Sequence, residues 1–159
     1  MQLPHSRCQV HFMYERLLAP TDGSVFSNKA VSTAARLAHA LHAGLLVLHV
    51  RSTIEVPHHV QGGALNTLGE KKIMQEIEDE ERKLLDASLA IAVANGVTAE
   101  TAFVADEAPY NAIIRIAQDQ HCDLILMASH GRGGIAGIIL GSETQKVLTH
   151  TTIPVLVVR

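Results

Sequence analysis

Continuous apolar runs alternate along this chain with segments of helical periodicity, and this alternation constrains the fold more than any other feature. The runs at 45–50 and 123–128 are apolar at nearly consecutive positions, as strands are when both faces of a parallel sheet are covered. Ala30, Ala34 and Leu41 recur at helical spacing ahead of the first run. Together these patterns predict strands at 16–19, 45–50, 97–104, 123–128 and 154–158, and helices at 27–43, 70–95, 109–120 and 143–150.

Five strands that alternate with four helices require right-handed crossovers. The chain is therefore predicted to be an α/β protein with a doubly wound, mostly parallel sheet and helices on both faces. Its 159 residues suit one domain. Ligands of such sheets bind beyond the carboxyl ends of the strands, near the point where the strand order reverses. The residues that follow the strands are thus the candidates for function.

The ends of the predicted helices carry recognisable signals. Gly44 suits the C-terminal cap of the first helix, and Asn95-Gly96 is expected to end the second. The second helix is predicted to bury Ile73 and to expose the charge run 78–83. Asp106 or Glu107 is expected to cap the third helix, with Pro109 in its first turn.

Two segments are expected to lie outside the regular structure. Residues 51–69 are predicted to form a loop longer than most connections in compact domains. Residues 1–12 show no clean periodicity and lack the apolar core of a secretion signal. We expect them to be a disordered extension ahead of a domain that covers residues 13–159.

A glycine-rich stretch follows the fourth predicted strand. Glycines at 131, 133, 134, 137 and 141 allow close approach of the backbone to a ligand, which a β-carbon would hinder. Ser142 and Gln145 have the spacing of a capping box, which predicts a helix N-terminus where an anion can bind. The stretch matches neither the P-loop GxxxxGK[ST] nor the dinucleotide pattern GxGxxG. A phosphate site and a plain tight turn both remain open on glycine content alone.

The spacing of this stretch is more specific than its composition. Ala128-x2-Gly131-x9-Gly141-Ser142 resembles the G-x2-G-x9-G-[ST] motif of the nucleotide-binding class of universal stress proteins. Residues 17–24 resemble the first strand and loop of that family, and residues 153–158 resemble its last strand. The resemblance extends over residues 13–159 and implies the strand order 3-2-1-4-5. Ala128 replaces the first glycine of the motif, and its methyl group is expected to narrow the approach to the ribose.

The resemblance implies a binding site for ATP or AMP, with Mg²⁺ as a companion of the phosphates. Asp22 would bind the ribose hydroxyls, Val50 would offer its main chain to the adenine edge, and Gly131, Gly141 and Ser142 would hold the phosphates. Glu143 and Thr144 would add contacts nearby. The complete set of predicted site residues is Pro20, Thr21, Asp22, Val50, Met127, Ala128, His130, Gly131, Arg132, Gly141, Ser142, Glu143 and Thr144.

Three of these residues have alternative interpretations in the sequence. The carboxylate of Asp22 also suits a hydrogen bond within its own loop. His130 suits either a phosphate donor, when protonated, or a structural hydrogen bond. Arg132 suits either a phosphate contact or a solvated loop position. His58-His59 lack further ligands at metal spacing, so no structural metal site is predicted.

Composition excludes several classes of partner. A net charge of −3 without a basic stripe, and 3% aromatic residues, argue against nucleic acid. No apolar stretch approaches the roughly 18 residues of a membrane span. Cys8 and Cys122 form no disulfide framework, so we expect a cytoplasmic protein with Cys122 as a packed thiol.

Three functions are compatible with this sequence. The first is an ATP-binding regulatory module of the stress response. The second is an enzyme, either an ATPase or a phosphotransferase, and at most a slow one, because the sequence shows no loop lysine or second carboxylate suited to fast phosphoryl transfer. The third is a nucleotide-independent interaction protein. The resemblance also implies a homodimer that pairs through the fifth strand, and a protein partner that the sequence does not identify.

Overall fold

The computed structural model of the protein describes residues 13–53, 67–131 and 140–159. Within these residues strands and helices alternate. The strands are β1 (Arg16–Thr21), β2 (Gly44–Ser52), β3 (Glu100–Asp106), β4 (Leu124–Ala128) and β5 (Val155–Val158), and the helices are α1 (Val25–Leu41), α2 (Thr67–Ala94), α3 (Pro109–Asp119) and α4 (Ser142–His150). The expected extension 1–12 and most of the expected loop 51–69 lie outside the described residues.

The strands form one parallel sheet in the order β3-β2-β1-β4-β5. This confirms the doubly wound fold and the order 3-2-1-4-5. The ladder between β1 and β2 runs the whole length of β1, from Arg16 to Thr21. The ladder between β1 and β4 joins only Leu17 to Leu124 and Leu18 to Ile125 within the described chain. The strand order reverses between β1 and β4, so the carboxyl ends of these two strands, beyond the ladder that joins them, mark the ligand side of the sheet.

Residues of β1 alternate between two buried layers. Leu17 lies in a cluster with residues of α1 and α2, including Ala92. Leu18 lies in a second cluster with residues of α3 and α4, including Ile113 and Val147. Both leucines are completely buried, and each such side chain contributes about 1.5–3 kcal/mol to stability. The two clusters place helices on both faces, as predicted.

The prediction that Gly44 caps α1 is wrong. The helix ends at Leu41, and His42 adopts the left-handed conformation with φ of 54° and donates its N–H to the carbonyl of Ala38. Gly44 instead begins β2, where its N–H donates to the carbonyl of Glu15 at 2.9 Å. The glycine was a plausible cap from its position alone, but the turn is made two residues earlier.

The long helix α2 begins earlier and buries less than expected. Its 28 residues span about 42 Å, whereas the nine residues of β2 span about 30 Å, so the helix extends past the sheet. Ile73, predicted to be buried, is 46% exposed for this reason. Gly96, with φ of 78°, follows the helix as predicted. The charge run 78–83 is exposed except for Glu81, whose carboxylate lies 3.1 Å from the guanidinium of Arg51.

Candidate functional site

A cleft of about 550 Å³ opens at the carboxyl ends of β1, β2 and β4. Its volume falls in the range typical of small-ligand sites. Arg132 lies outside the described residues. All the other residues predicted from the sequence line the cleft, namely Pro20, Thr21, Asp22, Val50, Met127, Ala128, His130, Gly131, Gly141, Ser142, Glu143 and Thr144. Segments that are distant in the chain therefore converge at the point where the strand order reverses.

Asp22 is held between two loops of the cleft. Its Oδ1 accepts a hydrogen bond from the N–H of Ser24 at 3.0 Å, which is the loop-ordering role that the sequence left open. Ser24 in turn caps α1, because its Oγ accepts the N–H of Ser27 at 3.1 Å. Oδ2 of Asp22 lies beside Gly131, where a β-carbon would be only 2.7 Å away. The carboxylate therefore has a fixed orientation at the mouth of the cleft.

The turn before α4 is built differently from the predicted capping box. Gly141, not Ser142, is the N-cap residue, and as a glycine it has no side chain with which to cap the helix. The N–H of Gly141 donates to the carbonyl of Ser129 at 2.7 Å, so it is used inside the loop rather than offered to a phosphate. Gln145 reaches past the cap and donates its Nε2 to Leu140 at 3.2 Å. Ser142 is the first helical residue.

The first turn of α4 provides main-chain donors at the cleft. The first N–H groups of a helix have no intrahelical partners, and they carry the positive end of the helix dipole. Ser142 and Glu143 both line the cleft, and Ser142 is exposed. An anion is therefore favoured at this end, with the N–H groups of these residues as donors in place of Gly141.

Two side chains expected near the ligand are engaged with the protein. Thr144 is buried and donates its hydroxyl to the carbonyl of Ala128 at 2.9 Å, which fixes the start of α4 to the end of β4. Glu143 accepts a hydrogen bond from the N–H of Tyr110 at 2.9 Å and another from the ammonium group of Lys146. The hydrogen bond between Lys146 and Glu143 raises the pKa of the lysine. Any contact of Thr144 or Glu143 with a ligand is therefore made by main-chain atoms.

The cap expected at α3 from Asp106 or Glu107 is absent. Ala108 is the N-cap residue, and it makes no side-chain cap. Oδ1 of Asp106 accepts the N–H of Ala108 at 2.9 Å instead, which orders the turn before the helix. Pro109 does occupy the first turn of α3, as predicted.

His130 makes the structural hydrogen bond that the sequence left as an alternative. Its Nδ1 lies 3.0 Å from the hydroxyl of Ser129, and its ring lies 5.9 Å from that of Phe26 at the start of α1. Phe26 is 45% exposed. His130 therefore joins the loop after β4 to the helix after β1, along one border of the cleft.

Apolar side chains line a further part of the cleft. They come from β1, β2, β4 and α3, and the set is Pro20, Leu48, Val50, Pro109, Ile113 and Met127. Sequence reasoning missed Pro109 and Ile113, because their approach to the strand ends depends on how α3 packs. The cleft thus combines an apolar end suited to a flat ring with a polar end suited to an anion.

His49 is a further residue of the cleft that sequence reasoning did not select. It is 9% exposed, and its Nδ1 lies 2.8 Å from the carbonyl of Thr21. A carbonyl can only accept, so Nδ1 is the protonated nitrogen. The available signal was a histidine within the otherwise apolar run 45–50. Its hydrogen bond anchors the main chain immediately before Asp22.

The described part of the chain offers neither a metal cluster nor a membrane-spanning helix. Across residues 13–53, 67–131 and 140–159, no group of three histidine, cysteine or acidic residues could hold a metal ion. Among the same residues, no helix is long and apolar enough to cross a membrane. Cys122 is buried, and burial raises the pKa of its thiol, with Arg16 acting in the opposite direction.

Comparison with known proteins places this architecture in one family. The model of the universal stress protein family matches residues 13–159. Universal stress protein YxiE of Bacillus subtilis is 33% identical over 158 residues, which cover 92% of this chain and all of that protein.

Solved structures agree with the family match. The structure of MJ0577 superposes with a TM-score of 0.75 at 27% identity, over 92% of this chain and 96% of the other. A universal stress protein solved in complex with cAMP has the same fold, with a TM-score of 0.67 at 24% identity over 92% and 97% of the two chains. By the extent of the family match and the fold, this chain belongs to the universal stress protein family.

Proposed function

We propose that the protein binds an adenine nucleotide, ATP or AMP, in the cleft between β1 and β4 and acts as a regulatory module of the stress response. The observation that carries this proposal is the close approach of Gly131 to Asp22. A β-carbon at residue 131 would collide with the carboxylate. A glycine at this point lets the loop after β4 pack directly against the carboxylate that would bind the ribose, so the two loops can contact one nucleotide together.

The base would occupy the apolar end of the cleft. Val50 and Met127 come from strands, and Pro109 and Ile113 come from α3, so the ring would lie between the sheet and the helix. Burial of apolar surface favours such an arrangement by roughly 25 cal/mol per Å². The main chain of Val50 would add hydrogen bonds to the edge of the base.

The sugar and the phosphates would extend towards α4. The carboxylate of Asp22 is an acceptor of fixed orientation, as ribose hydroxyls require. The N–H groups at residues 142 and 143, together with the Ser142 hydroxyl, would receive the phosphates. Mg²⁺ would be held mainly by phosphate oxygens and water, since it needs few protein ligands in nucleotide sites. The protein with the same fold that was solved with cAMP supports the choice of an adenine ring.

We also propose that two copies of the chain pair through β5. This strand is at the edge of the sheet, and Leu156 is 41% exposed there. An apolar edge strand is an aggregation hazard unless it is covered, and a second copy would cover it. We expect this dimer to act in the cytoplasm on a further protein partner.

Titration calorimetry of the purified protein tests the proposal. We expect saturable binding of ATP and AMP with one site per chain, and at least tenfold weaker binding of GTP, because the proposed hydrogen bonds from the main chain of Val50 would fit the edge of adenine and not that of guanine. Mass spectrometry of ligand released from freshly purified protein would identify the usual occupant. Phosphate release over hours distinguishes binding from slow hydrolysis. Absence of heat with either adenine nucleotide, with no ligand retained, would refute the assignment.

A further inference from the structure

The side chain of Glu143 connects two helices that border the cleft. Its Oε2 accepts a hydrogen bond from the main-chain N–H of Tyr110 at 2.9 Å, and its Oε1 lies 2.7 Å from Nζ of Lys146. Glu143 belongs to the first turn of α4, and Tyr110 belongs to the first turn of α3. The anion end of the cleft is thereby linked to the helix that forms its apolar wall.

This link replaces a missing local cap. Ala108 precedes α3 without a side-chain cap, and Pro109 has no N–H to offer. The N–H of Tyr110 is one of the donors that a helix cannot satisfy internally, and a carboxylate near a helix N-terminus is stabilising. Glu143 supplies that carboxylate from 33 residues away in the sequence.

The position of α3 matters for the cleft because two of its residues line it. Pro109 is in the first turn, beside the capped N–H, and Ile113 is one turn further along. Loss of the cap would release the turn that carries Pro109. The apolar wall would then become less ordered, whereas the donors at the start of α4 would stay in place, since Thr144 fixes that turn to Ala128.

From these contacts we propose that Glu143 is a positioning residue, which orders the base-binding wall of the cleft by capping α3 and does not bind the nucleotide through its carboxylate. This inference rests on the proposed function. The role of Glu143 as a cap explains why its acidic side chain is compatible with a neighbouring anion site. Both oxygens are engaged by Tyr110 and Lys146, and the ammonium group compensates the negative charge.

The test compares three variants with two ligands that represent the two ends of the cleft, adenosine and inorganic tripolyphosphate. Glu143→Ala removes the cap, Glu143→Gln keeps an oxygen for the N–H of Tyr110, and Lys146→Gln removes the ion pair while keeping the cap. We expect Glu143→Ala to lower the affinity for adenosine about tenfold and to leave the affinity for tripolyphosphate unchanged. The two glutamine variants should bind adenosine within about threefold of the unmodified protein.

Hydrogen exchange of the Tyr110 amide provides a readout that needs no ligand. It should become faster in Glu143→Ala and remain slow in Glu143→Gln. Unchanged exchange, unchanged adenosine affinity, or equal losses for both ligands in Glu143→Ala would overturn the inference. If the unmodified protein binds neither adenosine nor ATP, the proposed function itself fails, and faster exchange would then show only that Glu143 caps α3.

Discussion

Gly131 and Asp22 approach so closely that a β-carbon on the glycine would lie 2.7 Å from Oδ2 of the aspartate. The two residues follow different strands and are separated by more than a hundred positions in the chain. A contact of this length is shorter than real β-carbons show, so any side chain at residue 131 must displace the carboxylate. A glycine at residue 131 therefore allows Asp22 to keep its observed position, and this holds whatever the backbone conformation of the glycine.

The first prediction concerns Gly131→Ala. The new methyl group should push Asp22 away from the cleft and lower the affinity for ATP by at least tenfold, as measured by calorimetry. The free energy of unfolding should fall by only about 1 kcal/mol, because the clash is confined to two surface loops. Gly44→Ala is the matched control, since its β-carbon would meet its nearest neighbour at an ordinary 3.7 Å. ATP affinity that stays the same in Gly131→Ala would contradict the site.

The second prediction concerns Gly141→Val. A β-carbon here would be 3.3 Å from the carbonyl of Ser129, the same atom that accepts the N–H of Gly141. The branched side chain should shift the start of α4. The affinities for ATP and tripolyphosphate should fall by at least tenfold, and the affinity for adenosine should fall less. Binding of all three ligands should be measured on folded protein, as judged by circular dichroism. A loss limited to adenosine would contradict the placement of the phosphates.

The sequence predicted the sheet well because parallel strands that are buried on both faces leave a strong local pattern. The strand β4, for example, lies within the predicted run 123–128. The ends of elements were less predictable, since they depend on competition between neighbouring groups. His42 rather than Gly44 ends α1 because the chain must reach the ladder beside Glu15.

The site was predictable in its location and less so in its contacts. Asp22 and Gly131 could be brought together from the rule for strand ends and the family motif. The bond between Glu143 and Tyr110 could not, because it joins two helices whose packing no local pattern encodes. The sequence also predicted Ser142 as the cap of α4, whereas Gly141 is the N-cap residue. The hydrogen bond from Gly141 to the carbonyl of Ser129, which closes this turn, joins the two ends of the connection between β4 and α4 and has no local sequence pattern.

The third prediction separates the two roles of Asp22. Asp22→Asn keeps an oxygen for the N–H of Ser24 but removes the charge that would bind the ribose. The unmodified protein should prefer adenosine to 2′,3′-dideoxyadenosine by about tenfold, and the variant should show little preference. Calorimetry with both nucleosides gives the comparison. An equal preference in the two proteins would assign Asp22 to loop order alone.

The fourth prediction concerns the buried thiol of Cys122. Burial raises its pKa above the ordinary value, so the unfolded chain loses this proton first as the pH rises. Stability from this group is therefore complete below about pH 8.5 and declines above it. In a Cys8→Ser background, urea unfolding between pH 7.5 and 10 should show a steeper decline for the protein with Cys122 than for Cys122→Ala. Parallel profiles would show that the thiol does not contribute.

The fifth prediction concerns the exposed edge of the sheet. Leu156 is 41% exposed on β5, which pairs with β4 on one side only within the described sheet. If a second copy covers this strand, Leu156→Glu should place two like charges near the symmetry axis and convert a dimer into a monomer at micromolar concentration. Light scattering measures the molecular mass of the protein in solution.

Val93→Glu is the control, because Val93 is 65% exposed on α2, away from this edge, and the change should leave the mass unaltered. A monomeric unmodified protein would exclude pairing through β5.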